Sequence, residues 1–124
     1  MTPCLLPGVF VFSTIPVRTA LPIWLRPVMI FREAEGVTLI IERPEAITAN
    51  FPYVFPSRMI TLQIHSSLEA VGFLAAITPR LGAAGMGVNP VSAYFHDHLF
   101  VPENRADDAI KILQEIANEA QRLA

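Results

Sequence analysis

Side chains that could hold a metal ion cluster near the C-terminal end of the chain. His96, Asp97 and His98 are consecutive, and His65 is the third histidine of the sequence. Catalytic zinc is held by about three protein ligands, drawn from histidine and carboxylate groups, with water completing the site. His96 and His98 could share one face across a predicted turn, but nothing in the sequence brings His65 near them. We expect these residues to fill a polar turn, and a metal-dependent enzyme is the last of three functional hypotheses.

The segment from Ser66 to Gly72 has the chemistry of a small-molecule site. Glu69 follows Ser66 at the spacing of a capping box, which predicts a helix start, and the free N–H groups of a helix start attract a carboxylate. Glu69 could pair with an ammonium group, and Gly72 allows close approach to the backbone. A zwitterionic amino acid would fit this combination. The alternative is structural: Ser66 and Glu69 only cap the helix, and Gly72 only permits packing against a sheet.

Other residues that often carry chemistry have no supporting context. No serine lies in a Gly-x-Ser-x-Gly elbow, and the single cysteine, Cys4, has no basic neighbour that would activate it. Phosphate loops and dinucleotide fingerprints are absent. Trp24, between Pro22 and Pro27, could stack on a ligand or anchor an interface, or it could be a hydrophobic plug beneath a proline-rich loop. The sequence therefore predicts no cofactor and no catalytic residue.

Proline controls which elements the first half of the chain can form. Eight of the 11 prolines lie in residues 1–56, and proline is costly inside a helix. Prolines at positions 16, 22 and 27 leave no room for an ordinary helix after the first strand. This half is therefore expected to hold strands at Val9–Ile15, Val28–Ala34 and Val37–Glu42, followed by a short helix at Pro44–Ala49.

The second half is predicted to alternate strands with two longer helices. Alternating polarity in Arg58–His65 predicts a half-buried strand, and helical spacing of apolar residues predicts a final helix capped by Asn104. The elements expected between them are a helix from Ser66 to about Ala84 that is bent near Pro79 and ends at Gly85, a strand at Val88–Tyr94 with Pro90 at a sheet edge, a turn at Phe95–Asp97, and a strand at His98–Val101.

This order of elements predicts an α+β, ferredoxin-like fold with helices packed on an antiparallel sheet. Thr38–Ala46 is similar to His98–Ala109, since each is a strand followed by a polar break and an acidic helix start. Their separation is about 60 residues, near half the chain, which indicates a duplicated unit.

The stretch SSLEAVGFLAAITPRLGAAGMGVNPVSAY (66–94) resembles the core of an ACT domain. Val71 to Leu74 is similar to the family's glycine followed by a large apolar residue, and Gly85 to Asn89 to its small-residue turn. With AYFHDHLFVP, PGVFVFSTIP and FREAEGVTLII, the chain resembles small bacterial proteins with two ACT-like repeats. The resemblance implies a degenerate N-terminal repeat at residues 1–57 and a C-terminal repeat at residues 58–124.

ACT domains typically bind an amino acid or related metabolite beside the loop after the first strand, and they regulate another protein. The resemblance therefore implies a non-enzymatic regulatory or sensor module, with a protein–protein interaction module as the alternative. It implies ligand contacts from both repeats, at Ser13, Thr14, Ile15, Ser66, Ser67, Leu68, Glu69, Val71, Gly72 and Asn89.

The composition of the chain limits the classes of binding partner that we expect. The 124 residues carry a net charge of −2 without a basic cluster, which argues against nucleic acid and anionic membranes as partners. Only 16% of the residues are charged, against about 25% in a typical domain, so we expect part of the surface to be covered in a homo-oligomer. No window resembles a signal peptide or a membrane span, and a cytoplasmic location is expected by default.

Overall fold

The computed structural model describes residues 1–63 and 73–123. The chain divides into two compact units. One is Gly8–Ser57, called here the N-terminal unit. The other, the C-terminal unit, joins Met1–Pro7 to Arg58–Ala124. Among the described residues, no helix is long and apolar enough to cross a membrane.

The N-terminal unit is an antiparallel sheet with one helix. Its elements are β2 (Phe10–Ile15), β3 (Met29–Arg32), β4 (Val37–Glu42), α1 (Arg43–Ala49) and the beginning of β5 (Tyr53–Gln63). The strand order is β5–β2–β4–β3, so the fourth strand of the unit lies beside the first. The three strands and the short helix predicted for this half are confirmed, with ends that shift by one or two residues.

One face of this sheet is buried because its strands alternate. Val11 and Ile15 of β2 and Leu39 of β4 point to the same side, where they pack with Ala46 of α1. The first helix of a ferredoxin-like unit is missing, as the prolines predicted. The linking residues 16–28 carry Leu25, which is buried and covers the place on the core that a helix would occupy.

The C-terminal unit has two helices on a four-stranded antiparallel sheet. It comprises β1 (Thr2–Leu5), the end of β5, α2 (Phe73–Ala83), β6 (Asn89–Ser92), β7 (Asp97–Pro102), a 3₁₀ turn (Glu103–Arg105) and α3 (Ala106–Leu123). The strand order is β1–β5–β7–β6. Pro90 lies in β6 at the edge of the sheet, as predicted, because an edge strand tolerates the missing N–H.

The two units share one strand order, but they obtain the fourth strand differently. In the C-terminal unit that place is taken by β1, whose Cys4 pairs with Thr61 of β5. No strand was predicted at residues 2–5. The reason is that TPCL carries no alternating pattern of its own, and its pairing partner lies about 57 residues away.

The core of the C-terminal unit also follows strand alternation. Ile60 and Leu62 of β5 and Leu99 and Val101 of β7 face one side, under Leu81 of α2 and Leu113 of α3. All of these side chains are fully buried. The alternation predicted for Arg58–His65 places Ile60 and Leu62 in this core, but the strand is not half-buried as predicted, because Met59 and Thr61 on its other face are buried as well.

Several predicted boundaries need correction. β5 begins at Tyr53, five residues before the predicted Arg58, because a bulge accommodates Pro56 inside the strand. Asn104 does not cap the final helix, since it lies inside the 3₁₀ turn that follows Pro102. Gly85 does end α2, with a φ of 82°, whereas the predicted start of that helix at Ser66 lies outside the described residues.

Candidate functional site

The ligand residues predicted in the C-terminal unit fall mostly outside the described residues. This applies to Ser66, Ser67, Leu68, Glu69, Val71 and Gly72. The structure describes the two elements that they connect: β5 ends at Gln63, and α2 begins at Phe73. The first turn of α2 contains no acidic side chain. Its partial positive charge is therefore not offset from within the helix.

Asn89 is the described member of the C-terminal set. It is the exposed first residue of β6 and pairs with Phe100 of β7. The glycine-rich turn before it connects α2 to the edge strand, as the sequence predicted. This strand pairing does not test the ligand contact that the resemblance implies for Asn89.

Ser13, Thr14 and Ile15 form the end of a strand, not a loop. Thr14 pairs with Thr38 and Ile15 with Val37 of β4, so the ladder continues to the last residue of β2. These residues therefore belong to the strand predicted at Val9–Ile15, which the β-branched Thr14 and Ile15 favour, and they precede the loop beside which the resemblance places a ligand. The loop itself begins at Pro16.

A cleft of about 350 Å³ opens at this end of β2, within the N-terminal unit. Phe12 and Thr14 alternate onto the sheet face opposite α1, and their partners Val54 and Thr38 lie on that face with them. Ser13 belongs by alternation to the face of Val11 and Ile15. The residues that line the cleft are Phe12, Ser13, Thr14, Thr38, Pro52, Tyr53 and Val54.

A strained bulge supports one wall of the cleft. Two residue steps separate Phe10 from Phe12 on β2, but three separate Val54 from Ser57 on β5. The extra residue leaves Phe55 with a φ of 57°, a conformation that costs a phenylalanine about 1–3 kcal/mol. Phe55 meets the ring of Phe12 edge to face, with 5.8 Å between centroids. The sequence did not predict this wall, because Pro52 and Pro56 interrupt any strand pattern there.

Ser13 is buried without a hydrogen bond. Its side chain is 3% exposed, and its hydroxyl has no partner among the described residues. A buried hydroxyl without a partner costs about 1–3 kcal/mol. Ser57, which is also fully buried, donates to the Phe10 carbonyl oxygen at 2.9 Å. The two serines are therefore similarly buried, but among the described residues only the Ser57 hydroxyl has a hydrogen-bond partner.

The histidine pair lies in the C-terminal unit, on β7 and in the residue before it. His98 Nδ1 is 3.0 Å from Thr61 Oγ1, and the rings of His96 and His98 are 6.4 Å apart. Burial, and next the charge of His96, lower the pKa of His98 below its usual value of 6.5, while Asp97 acts in the opposite direction. In residues 1–63 and 73–123, no three histidine, cysteine or acidic side chains group as a metal site.

The predicted turn at Phe95–Asp97 is displaced by one residue. The bend falls at Tyr94 and Phe95, and Ala93 N–H closes the hairpin on the His96 carbonyl oxygen. Asp97 is already in β7, where it is buried and pairs with Ser92. The hairpin tip is thus aromatic rather than polar, because the ladder continues to the Ser92–Asp97 pair.

Trp24 lies at the tip of a fixed turn in the linking residues of the N-terminal unit. Leu25 N–H donates to the Pro22 carbonyl oxygen, which makes Ile23 and Trp24 the central residues of the turn. Ile23 is 96% exposed and Trp24 45%. Trp24 is therefore not the buried plug that one interpretation of the sequence suggested.

The fold and these sites define a class: a protein of two α+β units, each with the ferredoxin-like strand order. Two ACT domain family models match the chain in tandem, one over residues 1–58 and the other over residues 54–115. The chain therefore belongs to the ACT domain family, as its sequence suggested. ACT domains are regulatory modules that generally bind small molecules such as amino acids.

Solved structures agree with this assignment. A protein of unknown function from Vibrio cholerae, described as a possible transport protein, is 38% identical, with a TM-score of 0.83 over 94% of this chain and 89% of that chain. A protein from Agrobacterium tumefaciens is 19% identical, with a TM-score of 0.78 over 92% and 87% of the two chains. The aspartokinase alpha and beta subunits are 10% identical, with a TM-score of 0.69 over 95% and 98%. The last two show the fold alone. No curated protein matches the chain significantly.

Proposed function

We propose that this protein is a non-enzymatic regulatory module that senses an amino acid or a closely related metabolite. The observation that carries the proposal is the tandem match to ACT domains over both units. Such a module acts by differential affinity: the ligand binds one state more tightly and shifts the population toward it. We also propose a cytoplasmic location, which fits a chain whose one cysteine cannot form an internal disulfide.

The proposed amino-acid site is the segment between β5 and α2. Ser66, Ser67, Leu68, Val71 and Gly72 would offer backbone N–H groups to the ligand carboxylate, and Glu69 would pair with its ammonium group. The lack of an acidic residue in the first turn of α2 supports an anion there. Asn89 would supply a further polar contact, and Ser13, Thr14 and Ile15 mark a second ligand position in the N-terminal unit.

Replacing Gly72 by aspartate tests the C-terminal site. The added carboxylate would repel the ligand carboxylate, so we expect Gly72→Asp to abolish amino-acid binding in calorimetry without loss of the folded circular dichroism spectrum. Gly82→Asp is the matched control. Gly82 is exposed near the end of α2, and a side chain there would meet nothing within 4 Å. Binding by Gly72→Asp as tight as that of Gly82→Asp would exclude this segment as the site.

A protein–protein interaction module is the second candidate, and the Pro22–Leu25 turn favours it. The turn is anchored at its C-terminal end, since Leu25 is buried and Arg26 N–H donates to Glu45 of α1 at 2.9 Å. An exposed isoleucine and tryptophan held in a fixed turn are typical of an interface anchor. We propose that a second copy of the chain covers them, in line with the low content of charged residues.

Sedimentation velocity tests this oligomer. We expect the wild-type protein to sediment as a dimer or larger, and the double variant Ile23→Ser/Trp24→Ser as a monomer. Ile47→Ser is the control, because Ile47 is an exposed apolar residue of α1 in the same unit. Equal sedimentation of the wild type and the double variant would contradict this role for the turn.

A further inference from the structure

We infer that the cleft of the N-terminal unit binds a small, uncharged aromatic molecule, a ligand class different from the amino acid proposed for the C-terminal unit. The inference extends the proposed function, because it gives the second ligand position a chemistry of its own. It is carried by the lining residues of the cleft, its size, and the bulge that shapes it.

The walls of the cleft are apolar and aromatic. Phe12, Pro52 and Val54 supply hydrocarbon surface, and Tyr53 adds a second ring. A volume of about 350 Å³ falls within the roughly 300–1,000 Å³ range of small-molecule pockets, which are lined mainly by such side chains with a few polar groups. Flat aromatic ligands suit these walls, because rings pack well edge to face or offset against other rings.

Charge distinguishes this cleft from an amino-acid site. None of the described residues that line it is charged, so the walls of the cleft offer no cation for a carboxylate. Thr38 Oγ1 donates to the carboxylate of Glu33, which places a negative group beside the rim. A ligand carboxylate would lose water without gaining a partner. The hydroxyl groups of Thr14 and Tyr53 can instead bond a phenol or an indole N–H.

The bulge shows that this shape of the cleft includes a backbone conformation that is unfavourable in free energy. Phe55 holds a left-handed backbone conformation that a phenylalanine rarely adopts. It also supports the ring of Phe12, the residue that pairs with Val54 across the two strands. Strained residues of this kind concentrate at ligand sites. The strain here lies between Val54 of the cleft and Ser57, which fixes the far side of the bulge by bonding Phe10.

The test measures binding of four small molecules to the full chain by ligand-observed NMR. Indole and p-cresol are the uncharged aromatic probes, phenylacetate is the anionic probe, and tyramine is the cationic probe. We expect indole and p-cresol to bind and phenylacetate to bind at least about tenfold more weakly, because the cleft has no cation for its carboxylate. Tyramine should bind no more tightly than p-cresol, because the Glu33 carboxylate at the rim already accepts a hydrogen bond from Thr38. Binding of only the charged compounds, or of none of the four, would overturn the inference.

A matched pair of variants then assigns the binding to the cleft. Val54 is 68% exposed on the cleft wall, and Ile47 is 63% exposed on α1, so both positions tolerate a polar side chain. We expect Val54→Glu to weaken indole binding about tenfold or more, since the carboxylate replaces apolar wall, and Ile47→Glu to bind as the wild type does. Unchanged binding by Val54→Glu would overturn the assignment.

Two further measurements keep the outcome unambiguous. If Val54→Glu fails to fold, Thr14→Trp takes its place as the test variant. Its indole ring fills the same cleft from the exposed end of β2, so it should abolish binding of free indole. Indole binding should survive Gly72→Asp, because that change belongs to the other unit. Loss of amino-acid binding with retained indole binding therefore separates the two sites, and the absence of indole binding beside intact amino-acid binding refutes this inference alone.

Discussion

Ser13 and Ser57 show at the residue scale how one hydrogen bond separates two equally buried side chains. Both hydroxyls lie in the N-terminal unit, and Ser57 donates to the Phe10 carbonyl oxygen, whereas Ser13 has no partner in the described part of the chain. A satisfied buried hydroxyl stabilises a protein by about 1 kcal/mol, and an unsatisfied one costs about as much or more. Substitution of the two serines should therefore have effects of opposite sign.

We predict that Ser13→Ala raises the free energy of unfolding by about 1 kcal/mol and that Ser57→Ala lowers it by about 1–2 kcal/mol. Each change removes the same hydroxyl and leaves a methyl group, so the pair is internally controlled. Urea denaturation of both variants beside the wild type measures the difference. Destabilisation by Ser13→Ala as large as that by Ser57→Ala would mean that Ser13 is bonded.

His98 gives the C-terminal unit a dependence on pH. Burial and the nearby His96 lower its pKa in the folded protein below 6.5. The unfolded chain therefore takes up a proton first as the pH falls through about 6.5, and this favours unfolding. The stability that His98 contributes is complete above that pH and is lost between it and the lower folded pKa.

We predict that the wild type loses more stability between about pH 7.5 and about pH 5.5 than His98→Asn does. Asparagine can present a group to Thr61 near the position of Nδ1, but it does not titrate. Thermal denaturation at the two pH values measures the loss. An equal loss in the variant would show that other groups cause the pH dependence.

At the scale of elements, patterns within a segment were predictive and pairings between distant segments were not. The alternation in Arg58–His65 predicted a strand there. The three prolines after Ile15 predicted that no ordinary helix follows that residue. By contrast, β1 has only four residues, and what makes it a strand is its partner in β5. The beginning of β5 was missed for a related reason, since a bulge hides Pro56 within the ladder.

The same contrast applies to the sites. The segment between β5 and α2 was proposed from capping residues and a glycine that adjoin in sequence. The cleft could not be proposed from the sequence, because Phe12, Thr38 and Val54 meet only through the register of three strands. No spacing in the sequence specifies that register, which depends on the buried face and on the bulge.

We predict that Leu5→Ala in β1 destabilises the C-terminal unit by about 1–2 kcal/mol. Leu5 is half-buried against the core formed by Ile60, Leu81 and Leu113, so the loss is about half that of a fully buried leucine. Thr2→Ala, at the exposed start of the same strand, should change stability by less than about 0.5 kcal/mol. Hydrogen exchange of α3, which contacts β1, measures both. Equal exchange in the two variants would contradict a structural role for β1.

At the scale of the whole molecule, a protein of the ACT domain family is proposed to hold two ligand sites of different chemistry. Membership in the ACT domain family follows from the tandem matches and from the shared strand order. The proposed amino-acid site is the segment between β5 and α2, and the proposed site for an uncharged aromatic molecule is the cleft beside Phe12. The amino-acid site is the one on which the proposed function depends, because regulation requires a ligand that the module senses.

The most direct test is the thermal stability of the purified full chain in the presence of each common amino acid. A ligand present at about 100 times its Kd stabilises the folded state by about 2.7 kcal/mol, which raises the Tm of a chain of this size by several degrees. We predict such a rise with one amino acid or a few of related structure, and its loss in Gly72→Asp. An unchanged Tm with every amino acid would contradict the sensor and leave the interaction surface at Ile23 and Trp24 as the basis of function.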